Sequence, residues 1–455
     1  MKGIFLISYA VLGIKTLDKR IQLSFYKKTI TKNYSIRGYN IKGIYGTNGA
    51  GKSAIISSIR ILKNLIINDS YLSNPLVQKQ LDALVNKHLK FLEMEAVFLV
   101  SFEDPMLLYR YRVKVEKNET STFSITSESL DVSRATSHSD TFNEIFCVEN
   151  GNLFLGKWQN ERIVEFLIDR SKNLLSNSAL APLFFCRMFL WIDKEITGNA
   201  LTASLVALSL FGHSLYAYLD NWDDHTDYIV NSILSEQREG AASRNLEKIM
   251  TYKNRLREAL PYILSDQEVL VSKRDYPDFE KEVKQLYNFL HIFMPDLQSV
   301  TIDKKEDADL YRCSLLMQYL DYKGYAEFES TGIRKLIRLF SFLKRAAEGE
   351  IVFIDELDAN LHDVYLCALL EYLMEYGEGQ LCFTTHNIGP MDILRKNKKS
   401  IDFLSVDKQV YSWKSNGNYS PSNLYKNGMI EGSPFNVDSI DFIGVFQPDD
   451  AEGEG

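Results

Sequence analysis

Gly46-Thr47-Asn48-Gly49-Ala50-Gly51-Lys52-Ser53 decides how the rest of this chain is read. The octet fits G-x-x-x-x-G-K-[ST]. A short apolar run, Ile41 to Tyr45, precedes it. A helical period follows over Ser53–Asn68, with Ile55, Ile56, Ile59, Leu62 and Leu65 on one side. Strand, glycine-rich turn and helix start, in that order, make a phosphate cradle. Glycines let successive backbone N–H groups turn toward one anion. The helix start adds the positive end of its dipole. In that setting Lys52 reaches the β- and γ-phosphates of ATP, and the Ser53 hydroxyl ligates Mg²⁺. Gly46, Thr47, Asn48, Gly49, Ala50, Gly51 and Ala54 shape the cradle.

Three further stretches belong with it. Ile351-Val352-Phe353-Ile354 is a continuous apolar run, as in a parallel strand covered on both faces, and it ends in Asp355-Glu356. Open α/β sheets bind ligands at the C-terminal ends of their strands. There Asp355 would hold Mg²⁺, and Glu356 would act as general base on the attacking water. Gln380–Thr384 reads as a similar strand and runs into Thr384-Thr385-His386, which puts His386 31 residues after Asp355 and within reach of a γ-phosphate. Glu329-Ser330-Thr331-Gly332-Ile333 opens an amphipathic pattern through Leu336, Leu339, Phe340 and Leu343. Taken alone, Ser330 is a helix cap. Beside a cradle already filled by Lys52, a second anion cradle at Ser330 and Gly332 makes sense if it closes over the nucleotide of another subunit.

The 455 residues carry 52 Lys and Arg against 60 Asp and Glu, a formal charge of −8. A global basic field is absent, though a local basic groove is not excluded. Composition is that of an ordinary globular protein, 45% hydrophobic and 25% charged. The five cysteines are scattered, with no C-x-x-C pair, which suits a reducing, cytoplasmic setting without a zinc site. Met1 to Ile14 starts like a signal peptide but lacks a small-residue cleavage site, so it reads as a buried first strand. Ala200–Leu219 has no formal charge over twenty residues, yet its Thr, Ser, Gly and His content favours a buried helix over a membrane span.

Outward from the motifs, Ile21, Leu23 and Phe25 alternate as a strand, and Met94–Phe102 pairs with Leu107–Val115. Thr120–Asp131 fits a strand or a loop. From about 155 to 298 the pattern is helical, as in Glu161–Ile168, Ala200–Leu219, Glu236–Glu258 and Glu280–Phe293. Strand patterns return in Val300–Asp303 and Tyr311–Leu320. The domain reading is an ATPase core in two halves, 1–150 and 300–446, around a helical insertion, 151–299, that serves oligomerisation or partner contacts. An acidic, disordered tail, 447–455, closes the chain.

Phosphate loop, Ser-x-Gly, Asp-Glu and His, in that order, resemble an ATP-binding-cassette (ABC-type, SMC-like) ATPase of the kind in chromosome-maintenance and double-strand-break-repair proteins. Phe328–Leu336, Val352–His362 and Phe383–Asn387 are closer still to AAA-family, ABC-type ATPases of bacterial phage-defence and abortive-infection systems. Related groups are the ATPase subunit of PARIS and the ATPase half of OLD-family nucleases. The resemblance covers about 1–115 and 300–445. It implies an α/β P-loop NTPase head with a mixed sheet, and two subunits that sandwich ATP. Ser330 and Gly332 would then complete the partner's site, with Asp358 as a D-loop residue reaching across. It also implies ATP hydrolysis used as a sensor or switch in antiviral defence. The signature reads Glu-Ser-Thr-Gly-Ile rather than Leu-Ser-Gly-Gly-Gln, which argues against a transport cassette. Gln78 and Gln80 precede the strand expected to carry a Q-loop glutamine, which leaves that contact unassigned. Only 69 residues follow His386, too few for a fused nuclease, so a separate effector such as a nuclease or toxin is expected. A repair or chromosome-maintenance ATPase that clamps DNA is the alternative. No membrane role is expected.

Overall fold

The computed structural model describes residues 3–102, 105–136, 142–156, 178–181, 200–220, 264–359, 361–414, 419–431 and 433. At its centre is a six-stranded sheet. Its order is β17 (Val410–Ser412), β16 (Ile401–Leu404), β3 (Ile41–Gly46), β15 (Gln380–Thr384), β14 (Ile351–Ile354) and β9 (Leu215–Tyr218). All neighbours run parallel except β17. Strands β3, β14, β15 and β16 are buried at every residue, which is why their sequences are apolar runs rather than alternations. The strand that leads to His386 is thus inserted between the phosphate-loop strand and the Asp-Glu strand. Three chemistry-bearing strand ends lie side by side.

Helix α1 (Lys52–Ile67) leaves β3 and is buried nearly all round, because it is clamped between the central sheet and a second, antiparallel one. That sheet orders as β2 (Ile21–Ser24), β1 (Ile4–Leu12), β4 (Phe91–Val100), β5 (Leu107–Lys117), β6 (Phe123–Arg134), β7 (Asn143–Glu149) and β8 (Asn152–Leu155). Alternate residues of β4 and β5 face the core, as expected of a half-covered sheet. Two polar ties hold the sheets together. The Gln380 side chain accepts from Leu6 N at 2.7 Å and donates to Leu6 O at 2.9 Å, next to the register shift in β1. Tyr9 Oη donates to Ser58 Oγ at 2.6 Å.

Helix α2 (Pro75–Leu84) flanks the antiparallel sheet, and α3 (Ala200–Ser214) packs against α1. A Cβ on Gly212 would lie 2.5 Å from Ile66 Cγ2, so only glycine permits that approach. A third layer contains β10 (Val269–Ser272), β11 (Ser299–Asp307), β12 (Leu310–Gln318) and β13 (Lys323–Tyr325), covered by α4 (Tyr276–Phe293). It leads into α5 (Thr331–Glu348), which bridges that layer to the central sheet.

The expected first strand and the strands Ile351–Ile354 and Gln380–Thr384 form as read. Thr120–Asp131, left open, is mostly strand, with a register shift opposite Lys114 and Val115. The helical reading of 155–298 needs correction at two places. Ala200–Leu219 is helix only to Ser214. Leu215–Tyr218 then pairs with Ile351–Ile354 as the edge strand of the core. An uncharged apolar run suits a buried strand as well as a buried helix, and only the long-range pairing decides. Val269–Ser272 is likewise a strand, paired with Leu310–Cys313. The hairpin β7–β8 turns at Asn150 and Gly151, both with positive φ (48° and 80°). The stretches Glu161–Ile168 and Glu236–Glu258 and the tail 447–455 lie outside the described residues. Among the described residues, no helix is long and apolar enough to cross a membrane.

Candidate active site

Strand β3 ends at Gly46, where φ is 154° and a Cβ would sit 2.4 Å from the Leu404 carbonyl oxygen of β16. Side chains are excluded there because the neighbouring backbone is already in contact. Gly51 (φ 111°) is the N-cap of α1, and a Cβ on it would strike Leu17 Cδ2 at 2.5 Å. No side chain caps this helix, and its first turn holds no acidic residue. The dipole end and its unused N–H groups are left for an anion.

Around this helix start lies a cleft of about 240 Å³. Asn48, Gly49, Gly51, Lys52, Ser53 and Ala54 line it from the phosphate loop, and Asp355, Glu356 and His386 line it from β14 and β15. Residues more than 300 positions apart in the chain therefore converge on one site. Gly46 and Thr47 take part through their carbonyls, which accept from Lys52 Nζ at 2.7 and 3.1 Å. Ala50 packs into the core beneath the loop. Thr47 Oγ1 is buried and has no partner in this structure. Such an atom suits a cradle whose ligand would supply the missing contact.

Thr384 organises the two carboxylates. Its Oγ1 donates to Asp355 Oδ1 at 2.6 Å and accepts from the Glu356 backbone N–H at 2.8 Å. Glu356 sits at φ 50°, a left-handed conformation that costs a non-glycine residue about 1–3 kcal/mol. Thr384 fixes the peptide on one side of that residue. Asp355 keeps its second oxygen available. With the Ser53 hydroxyl in the same cleft, that oxygen makes a two-ligand site suited to Mg²⁺, whose remaining positions would go to phosphate oxygens and water. Among the described residues there is no group of three His, Cys, Asp or Glu that could hold a metal by itself.

Burial holds the Lys52 ammonium below its ordinary 10.5, against the opposing pull of Asp355, Glu356 and Asp358. His386 is held below 6.5, first by partial burial and then by Lys52, while the three carboxylates pull upward. Both effects favour the neutral imidazole. An NMR titration should show its midpoint below 6.5, moving upward in Lys52→Met. A midpoint at or above 6.5 in the native chain would contradict the burial of the ring, and a midpoint that does not rise in Lys52→Met would mean that His386 does not face Lys52.

Not every expected residue is in the cleft. Ser330 caps α5, its hydroxyl accepting from Ile333 N at 3.4 Å, and is exposed with Gly332 beside it. Neither lines the cleft of its own chain. Asp358 lies close enough to Lys52, His386 and Tyr45 to act on their ionisation, and its Oδ1 is buried without a partner in this structure. Gln78 is occupied structurally, donating to the carbonyls of Leu72 and Phe123 and accepting from Phe123 N. Lys15, Thr16 and Thr384 line the cleft but were not foreseen. The first two sit on a tight turn after β1, where Lys15 has φ 46°. Only the Thr384-Thr385-His386 context could have flagged Thr384.

Fold and site together define an ABC ATPase-like head of the P-loop NTPase class. A family profile described as "AAA domain, putative AbiEii toxin, Type IV TA system" matches residues 218–392, from the end of β9 past His386. No curated protein matches the chain. Among solved structures, the Smc head domain with a coiled coil and joint from Pyrococcus yayanosii is 13% identical, with a TM-score of 0.41 over 90% of this chain and 97% of that one. The recombination mediator protein RecF-ATPrS in the RecFOR pathway is also 13% identical, with a TM-score of 0.36 over 91% of this chain and 99% of that one.

Proposed function

We propose that this chain binds and hydrolyses ATP as an ABC-type ATPase, and that it works as a switch in antiviral defence over a separate effector. The observation that carries the ATPase reading is the single cleft shared by Lys52, Ser53, Asp355, Glu356 and His386. Lys52 neutralises the β- and γ-phosphates. Ser53 and Asp355 would hold Mg²⁺, which would supply further charge neutralisation. Glu356 takes a proton from the water whose oxygen attacks the γ-phosphorus, and the bond to the β-phosphate oxygen breaks to release ADP and phosphate. Neutral His386 hydrogen-bonds the γ-phosphoryl oxygens and reports their presence. The test is turnover by the purified chain with ATP and Mg²⁺. Nucleotide binding without turnover would reduce the chain to a scaffold.

Self-association follows from the same geometry. A cleft of about 240 Å³ is below the roughly 300–1,000 Å³ of sites that enclose a whole drug-sized ligand, so it takes the phosphate end and leaves the rest of ATP open. Ser330 is exposed and Gly332 half-buried at the start of α5, where the Ser330 cap occupies one backbone N–H, and Arg334 one turn on carries a buried Nε without a partner in this structure. A second copy presenting this surface would close the site as an ATP-sandwiched homodimer or larger homo-oligomer. Ser330→Arg should leave the ATP affinity of an isolated subunit within about threefold while abolishing ATP-dependent association by light scattering. Association that survives the arginine would refute the trans-acting signature. The defence role rests on the resemblance of the motifs and on the toxin–antitoxin description of the matching profile. Co-purification with the product of a neighbouring gene is its test.

One observation favours the alternative of a DNA-clamping ATPase. Residues 19–68 contain ten Lys and Arg and no Asp or Glu. Lys27, Lys28, Lys32 and Arg37 are exposed, and the loop bearing Arg395, Lys396 and Lys398 lies against them, Lys398 N donating to Gly38 O at 2.8 Å. Among the described residues only Lys396 of these seven has an ion pair, with Glu371. Duplex DNA binding that weakens steeply with salt and is lost in Lys27→Glu/Lys28→Glu/Arg37→Glu would support this reading. Salt-independent or absent binding removes it.

A further inference from the structure

One buried ammonium joins the helix that starts at Ser330 to the peptide that carries Glu356. Lys335 lies on α5, five residues after Ser330, and is 4% exposed. Its Nζ donates to the main-chain carbonyl of Glu356 at 2.8 Å and to Asp220 Oδ2 at 2.9 Å. Asp220 is placed by Tyr218, whose Oη donates to Oδ1 at 2.7 Å. The Glu356 carbonyl also accepts from Ala359 N at 3.1 Å. The left-handed Glu356 residue is therefore gripped from both sides, by Thr384 at its N–H and by Lys335 and Ala359 at its carbonyl.

The mechanical consequence follows from rigidity. Helix α5 runs 18 residues and is packed on two hydrophobic cores at once, through Leu339, Phe342 and Leu343 on one and Leu336, Ile337 and Phe340 on the other. Such an element moves as a body rather than bending locally. Lys335 is a direct hydrogen-bonded link between the N-terminal part of α5 and the peptide whose carboxylate faces the cleft. A displacement of the Glu356 carbonyl would rotate a strained peptide and turn its side chain.

We infer that Lys335 is a positioning residue for Glu356. It holds the Glu356 peptide in the conformation that aims the carboxylate at the attacking water, and it transmits any displacement of the Ser330 end of α5 to that carboxylate. The inference rests on the ATPase reading above and adds the device by which contact at one chain's signature sets the competence of its own general base. Lys335 touches neither nucleotide nor water in this role.

The experiment compares native chain, Lys335→Met, Lys335→Gln, Glu356→Gln and the double variant Lys335→Met/Glu356→Gln, reading ATP affinity, kcat and thermal midpoint for each. Methionine keeps the stem and removes the ammonium. Asp220, half exposed on its side chain, remains solvated. Lys335→Met should lower kcat about 100-fold, as small misplacements of a reacting group do, with ATP affinity within threefold. In the Glu356→Gln background the same substitution should change residual turnover less than twofold, because the group it positions is already gone. Glutamine restores a donor to the carbonyl, and Lys335→Gln should recover at least a tenth of native kcat. Should Lys335→Met fail to fold, Lys335→Gln with and without Glu356→Gln carries the same test. Additive losses in the double variant, or a fall in affinity equal to the fall in kcat, overturn the positioning role. A native chain that binds ATP without turnover overturns the ATPase reading instead, and the two failures are distinct.

Discussion

Lys52→Ala should abolish ATP binding, with affinity falling at least 100-fold in a calorimetric or fluorescent-nucleotide titration. Lys52 Nζ already holds the carbonyls of Gly46 and Thr47 at the mouth of the loop, and the residue is only 7% exposed. Much of its desolvation therefore precedes ligand, and a phosphate chain meets a preorganised positive charge. Removing one partner of such a buried charge contact costs about 2–5 kcal/mol, roughly 30-fold to several thousand-fold, and the 100-fold loss lies inside that range. Lys52→Met, which keeps the stem that packs at the start of α1, controls for collapse of the loop and should lose binding equally. Unchanged affinity in either variant would remove the phosphate-loop assignment, and with it every role assigned to Ser53, Asp355 and His386.

Glu356→Gln should lower kcat by about 10²–10⁴-fold and leave ATP affinity within a few-fold. The amide cannot take the water's proton, but it has the size of the carboxylate. It leaves intact the Thr384 contact at the backbone N–H and the Lys335 contact at the carbonyl. Arrest before hydrolysis should also accumulate the ATP-bound assembly, visible as a stable larger species that native chain forms only transiently. The sign matters here. A variant that loses binding and turnover together would show Glu356 to be a structural or ligand-holding residue, and normal turnover would displace it as the base.

Particular elements show why some of this was legible in advance. Ile351–Ile354 and Gln380–Thr384 were read to the residue because a parallel strand buried on both faces must be apolar throughout and stops at the first polar or turn residue. The octet 46–53 was legible because the Leu404 backbone at Gly46 and the Leu17 side chain at Gly51 leave no room for a side chain. Leu215–Tyr218 was not, since its apolar residues satisfy a helix and a strand equally and its pairing partner is far away in the chain. Val269–Ser272 failed for the same reason. Thr384 is an ordinary strand-end threonine until Asp355 and the Glu356 N–H are placed against it. Lys335 reads as a solvated helix lysine until Asp220 and the Glu356 carbonyl bury it.

Sequence by itself determined the local chemistry of this protein: which residues can cradle phosphate, ligate magnesium and take a proton, because residue type and short spacing set those properties. Only the tertiary structure decided the order of the strands, the sharing of one cleft by β3, β14 and β15, and the clasp of Lys335 and Thr384 about Glu356. Those relations depend on hydrogen bonds between segments from about twenty to more than 300 residues apart, and no local pattern encodes which distant backbone a buried strand or side chain will find.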